Sequence, residues 1–324
     1  MIAVNRAVVV LFAGMLTGAA GGAAAQPYPV KSLRMIVPFP PGGATDILGR
    51  YVALRLGETF GQQFVVDNRP GANGTLGLDL AAKAAPDGHT LVVGQNGNLT
   101  ISPGLTKVPY DPLRDFSPVT LLVASPHVIA VHPSLPVRSL KDLIALAKSK
   151  PGQLNYASTG AGSAGHLSVE LLKKMAKIDL VHVPYKGAVP GFTDLMAGHV
   201  AMMFTSVLST QSFARAGRVR MLAVGSAQRS PSAPDVPTIA ESGFPGFEVT
   251  SWWGVLGPAG MPREIVARLN SEIVKLMSSS DARDRIAALG ADIVTSTPTQ
   301  FADYIKVESA KWAQVIKGSG ARID

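Results

Sequence analysis

No cysteine occurs among the 324 residues. Disulfides and a lipid-modified N-terminal cysteine are both excluded, and the fold must be held by core burial alone. Aromatic residues are scarce, at 6%. Lys and Arg are scattered rather than interleaved with stacking rings, which argues against a nucleic-acid partner. After the first residues no apolar run is long enough for a membrane span of about 20 residues. The most apolar later stretch, residues 119–131, is broken by Ser125, Pro126 and His127. His89, His127, His132, His166, His182 and His199 lack close metal-ligand spacing. With no cysteine to help them, no metal site is expected, and no cofactor.

The first 25 residues have the order of a secretory signal. Arg6 is followed by a short apolar core, AVVVLFAGML, and then by small residues ending Ala23-Ala24-Ala25 before Gln26. This predicts a cleavable signal peptide over residues 1–25 and a periplasmic product; a non-cleaved anchor is the alternative. Removing 25 of 324 residues leaves 299, enough for two ordinary domains. Removing Arg6 from 30 basic residues leaves 29 against 22 acidic ones, a net +7. That balance suits either an anionic solute or simple solubility.

The rest of the chain alternates β-rich and amphipathic helical runs. Strands are expected at residues 33–38, 64–66 and 91–93, with helices at 47–60 and 76–85 between them. This βαβαβ order implies a parallel sheet covered by helices. The pattern restarts with strands at 128–131, 154–157, 180–183 and 221–224, and with helices after Ser139, over 164–175 and over 189–197. Pro262 opens a helix through Met277. Thr297-Pro298-Thr299-Gln300 is a capping box for a last helix ending near Gly318. The final helices are expected to pack back on the first unit. The layout is therefore α/β: a discontinuous domain 1, residues 26–126 and 249–324, and an inserted domain 2, residues 127–248.

Three glycine-rich loops lie between a strand and a helix, where ligands bind in open α/β sheets. The first is Phe39-Pro40-Pro41-Gly42-Gly43-Ala44-Thr45-Asp46. Its glycines let backbone N–H groups approach an anion at a helix N-terminus; a tight turn capped by Thr45 is the alternative. The second runs from Ser158 and Thr159 through Gly160, Ala161, Gly162, Ser163 and Ala164 to Gly165 and His166. It matches G-x-G-x-x-G, but no acid ends the next strand as a dinucleotide site requires. It also nearly matches a G-x-S-x-G elbow around Ser163, with Asp194 and His199 following in triad order. A secreted serine hydrolase is thus an alternative to a loop whose hydroxyls and N–H groups hold an oxygen-rich anion. The third loop, residues 68–75, either lines the cleft or orients a helix. Trp252 and Trp253 line the cleft or hinge, or are core.

These loops, in this order, resemble the Bug family of periplasmic binding proteins. The resemblance runs through VPFPPGGATD (37–46), NRPGANGTLG (68–77), APDGHTL (85–91), YDPLRDFSPVTLL (110–122), PGQLNYASTGAGSAGHLSVELL (151–172), HVPYKGAVPGFTDLMAGHV (182–200), APDVPTIAESGFPGFE (233–248) and STPTQFADYIKVESAKW (296–312). It implies a type II periplasmic-binding-protein fold, with two α/β domains around a central ligand cleft. It further implies a monomeric binder without catalytic residues, capturing a small carboxylate such as a dicarboxylate, acidic amino acid or aromatic acid. A membrane permease of the tripartite tricarboxylate type would be its partner; a sensor working with a membrane kinase uses the same fold. The expected ligand-binding set is Phe39, Gly42, Gly43, Ala44, Thr45, Asp46, Asn96, Ser158, Thr159, Gly160, Gly162, Ser163, Tyr185 and Ala201. Ala201 stands where the family usually carries Asp. With Met202 and Met203 beside it, a more apolar second side of the pocket is expected.

Overall fold

The computed structural model describes residues 28–319, so the expected signal peptide lies outside the described residues. The first lobe is built on β1 (Leu33–Val37), β2 (Phe64–Asn68) and β3 (Thr90–Gln95). β1 pairs in parallel with both neighbours. Between β1 and β2 runs α1 (Ala44–Phe60), which buries Leu48, Tyr51, Val52 and Leu56 on one face and ends at left-handed Gly61. α2 (Thr75–Ala82) and a short α3 (Ser102–Leu105) complete the first run of the chain through this lobe.

The two lobes share one strand. β4 (Phe116–Val131) is continuous through Ser125, Pro126 and His127, where the sequence suggested a break. Up to Pro126 it pairs antiparallel with β9 (Thr250–Pro258). From His127 onward it pairs antiparallel with β7 (Met202–Ser206) and β8 (Arg220–Val224). Pro126, which has no N–H to donate, sits at the switch of partners, where a ladder bond is dispensable. The second lobe continues with parallel β5 (Asn155–Ser158) and β6 (Val181–Pro184) beside β7. Its helices are α4 (Leu140–Ser149), α5 (Ala164–Ala176), α6 (Ala188–Met196) and α7 (Val207–Arg215).

The chain returns to the first lobe through β9, α8 (Arg263–Met277), α9 (Ser280–Ala288) and β10 (Asp292–Ile293), which pairs with β4. The last helix, α10 (Pro298–Ser319), departs from expectation. Its early residues Phe301 and Ile305 pack with Ile36, Val92 and Trp252 of the first lobe. Its later Trp312 packs instead with Leu167, Leu172 and Tyr156 of the second lobe. A 22-residue helix is about 33 Å long, long enough to cross the junction. Among the described residues no helix is long and apolar enough to cross a membrane.

Candidate functional site

Parallel strands end on the same side, so the loops after β1, β3, β5 and β7 converge between the lobes. They enclose an inner chamber of about 540 Å³, including its open mouth. The first lobe contributes Phe39, Pro40, Gly43, Ala44, Thr45, Gln95, Asn96 and Gly97. The second contributes Thr159, Ser163, Ala164, Gly165, Ala188, Val189, Thr205, Ser206 and Ser209. His127 of β4, with Ser251 and Trp253 of β9, lines it where the lobes join.

Four helices open onto this chamber. Gly43 to Thr45 begin α1, Ser163 to Gly165 begin α5, Ala188 and Val189 begin α6, and Ser206 to Ser209 begin α7. Each N-terminus carries unpaired N–H groups and about half a positive charge. α1 and α6 begin at Gly43 and Gly187 with no side-chain cap, so their first-turn N–H groups stay open to a ligand. α5 and α7 are capped by Ser163 and Ser206, whose Oγ atoms accept from His166 N–H and Ser209 N–H. Ser163 keeps its own O–H to donate, whereas the Ser206 hydroxyl already donates to Ser209 Oγ at 3.1 Å. None of the described residues lining the chamber is a Lys, Arg, Asp or Glu. His127 is neutral too: burial pushes its pKa down to about 3, and its Nε2 lies 2.6 Å from Ser251 Oγ. The site is therefore electropositive through backbone dipoles alone, and suited to an anion.

The expected site residues fall into three groups. Phe39, Gly43, Ala44, Thr45, Asn96, Thr159 and Ser163 line the inner chamber. Gly160 and Tyr185 line a separate outer chamber, with Phe39 and Thr159 forming the partition. Gly42, Asp46, Ser158, Gly162 and Ala201 line neither. Four of these five build the loops. Asp46 is buried and accepts from Gly42 N–H (2.9 Å), Asn68 Nδ2 (2.8 Å) and Arg50 Nε. Its burial would raise its pKa, but the bonds from Arg50, Gly42 and Asn68 together hold it below the usual carboxylate range. Gly42 has φ +86°, a left-handed value that favours glycine. Ser158 is fully buried; its Oγ donates to Gly160 O and lies 2.7 Å from His182 Nε2. Gly162 N–H donates to His166 Nδ1 rather than to the cleft. His166 and His182 stack face to face at 4.0 Å, bracing this loop from below.

Ala201 is a correction. It precedes β7, and its N–H donates to Asn155 Oδ1 at the start of β5. Ser206, at the cleft, is five residues further along the strand, or about 16 Å. Met202 and Met203 are fully buried in the second lobe, not on a pocket wall. The hydrolase arrangement is likewise not assembled. His199 pairs with Asp194 at 3.3 Å and its carbonyl accepts from Asn155, placing both at that same far end, away from Ser163. Trp253 lines the cleft and donates to Thr45 Oγ1 at 3.0 Å, whereas Trp252 is core. Sequence reasoning missed Gln95, Gly97, Ser206, Ser209 and Ser251. Ser206 and Ser209 stand three apart at a helix start, a capping pattern that was available to be read.

Two lobes that share a long strand and face each other across such a cleft make a solute-binding protein with the type II periplasmic fold. Residues 48–321 match the family described as tripartite tricarboxylate transporter family receptor, and the chain belongs to it. Protein BugT of Bordetella pertussis is 37% identical over 309 residues, covering 94% of each chain. R. palustris Rpa4515 with adipate is 37% identical with TM-score 0.89, over 91% of this chain and 100% of that one. MatC (Rpa3494) from Rhodopseudomonas palustris with bound malate is 34% identical with TM-score 0.84, over 89% and 100%.

Proposed function

We propose that this protein is a periplasmic receptor that captures a small carboxylate and presents it to a membrane permease of the tripartite tricarboxylate type, without chemistry on the ligand. The observation that carries this is the inner chamber, where four helix N-termini from two lobes meet and no formal charge intervenes. Such a site holds an anion through N–H and O–H donors and leaves release cheap, because no buried counter-ion is stranded. The adipate and malate in the two solved relatives support a carboxylate as cargo. The reading divides the chain into residues 26–126 with 249–324, and 127–248, and takes the working form as a monomer. Export is by a signal peptide cleaved after Ala25; the intact mass of the exported protein should correspond to a chain beginning at Gln26, and a full-length membrane-bound product would contradict this.

Ser163→Ala separates receptor from hydrolase. Ser163 lines the chamber with its O–H free to donate. Losing one bond to a charged ligand should cost about 1.5–3 kcal/mol, roughly ten- to a hundredfold in affinity. The lost cap should cost about 1 kcal/mol of stability. Calorimetry beside an activated-ester assay on both proteins reads the outcome. Wild-type turnover that vanishes in the variant while affinity persists would make Ser163 a nucleophile instead.

A further inference from the structure

Where the lobes join, the inner chamber is lined by a buried imidazole that anion capture by helix N-termini leaves unused. Alternate residues of a strand share a face, so Ser251 and Trp253 of β9 line the chamber while Trp252 turns into the first lobe's core. His127, the first residue of β4 beyond Pro126, lines it beside them. It is 4% exposed, and its ring meets Phe204 edge-on at 5.1 Å. Its Nε2 lies 2.6 Å from Ser251 Oγ, and neither side chain has another hydrogen-bond partner among the described residues.

That contact has two forms, because either group can be the donor. Nδ1 decides between them. It is closed off from solvent and has no partner among the described residues. A proton on Nδ1 would leave a buried donor with nothing to meet. A proton on Nε2 leaves only a lone pair unpaired, which is the commoner and cheaper arrangement. Burial keeps the ring neutral, so its single N–H is assigned to Nε2 and is donated to Ser251 Oγ. The serine hydrogen is then left without an acceptor among the described residues, on the chamber wall. Charge is the second observation. None of the described lining residues is Asp or Glu. An ammonium group in the chamber would lose its hydration and gain no carboxylate, whereas an oxygen in the same place meets a donor.

We propose that His127 and Ser251 are the specificity pair of this receptor. His127 positions the Ser251 hydroxyl as a donor to an oxygen substituent on the ligand, so that hydroxy acids are taken in preference to amino acids of the same skeleton. This rests on the receptor reading and deepens it by naming the class of carboxylate.

Nitrogen NMR of isotope-labelled histidines, run on the free protein, reads the tautomer before any ligand is added. His127 should show a protonated Nε2 and a bare Nδ1; the reverse pattern overturns the proposal. Calorimetry then compares succinate, malate and aspartate, and likewise glutarate, α-hydroxyglutarate and glutamate, with adipate and benzoate as further unsubstituted acids. Wild type should bind each hydroxy acid roughly tenfold tighter than its amino counterpart. Ser251→Ala should remove roughly tenfold from the hydroxy acids and little from the unsubstituted ones. His127→Phe keeps the shape of the ring without its N–H, and should match Ser251→Ala. His127→Gln returns an N–H near the place of Nε2, and should restore most of the loss. Equal loss in the Phe and Gln variants would make His127 a packing residue and overturn its role. Hydroxy and amino acids bound equally, or unchanged affinities in Ser251→Ala, would overturn the pair. If only unsubstituted acids bind wild type, the receptor reading stands and the specificity pair is refuted. If no acid in the series binds, both fall.

Discussion

Gly43→Val is expected to lower affinity for the carboxylate ligand by about a hundredfold or more, a loss of roughly 2.8 kcal/mol, while leaving the protein folded. The two halves of this expectation come from the same position. Gly43 is the N-cap of α1 with φ −84° and ψ 171°, extended backbone that valine adopts readily. A Cβ built there meets only Pro40 O, at 4.0 Å, so the protein itself has room for it. The room is the ligand's. Gly43 lines the inner chamber beside Ala44 and Thr45, and the valine methyls would stand between their N–H groups and any anion. Gly42 one residue earlier would not serve, because its φ of +86° penalises any side chain whether or not a ligand binds. Titration of ligand into wild type and variant, with a melting curve for each, checks both halves. Unchanged affinity in a folded variant would remove the α1 N-terminus from the site.

This position also shows what could be read from sequence and what could not. Features local in the chain were legible. Thr297 and Gln300 exchange the reciprocal bonds of a capping box, at 2.9 and 3.2 Å, and Ser139 accepts from Asp142 N–H as its spacing suggests. The loops after β1 and β5 do reach one cleft, because parallel strands put their ends on one side. What failed depended on direction or on partners distant in sequence. Ala201 and Ser206 flank the same short strand, and nothing in the local pattern says which end faces the ligand. Gly162 looked like an anion donor, but its N–H is taken by His166 Nδ1, whose ring in the first turn of α5 points back at the loop, a direction that the spacing alone does not give. Ser158 was likewise taken as a ligand group, but its hydroxyl donates to Gly160 O and its Oγ is also engaged by His182, 24 residues away on β6. β9 and the first half of β4 went unread. Pro126 and the glycines in TSWWGVLGP look like breakers, yet Pro126 sits at a lobe crossing, Gly254 lies against the ring of Phe301 and Gly257 against Met261 Sδ, where a side chain would not fit.

That crossing is where the largest loss of stability is expected. Trp312→Ala should cost about 3–5 kcal/mol, the range for deleting a buried aromatic side chain. Trp312 is 1% exposed and sits in the second lobe's core with Leu167, Leu172 and Tyr156. Its Nε1 donates to Glu308 Oε2 at 3.2 Å, and Trp252 Nε1 donates to the same oxygen at 3.1 Å. Trp252 belongs to β9 and to the first lobe's core with Phe301 and Ile305. The buried Glu308 carboxylate therefore joins one indole from each side of the junction, and α10 ties the lobes along its length. Removing the ring opens a cavity in one core and withdraws one of the two indole donors from a buried charge, so the transfer and polar penalties add. Trp312→Phe keeps most of the packing and loses only the N–H, so it should cost about 1.5–3 kcal/mol. Denaturant unfolding of the three proteins ranks them: wild type, then Phe, then Ala. An alanine variant within about 0.5 kcal/mol of wild type, as for an ordinary surface substitution, would mean that the end of α10 is not docked on the second lobe.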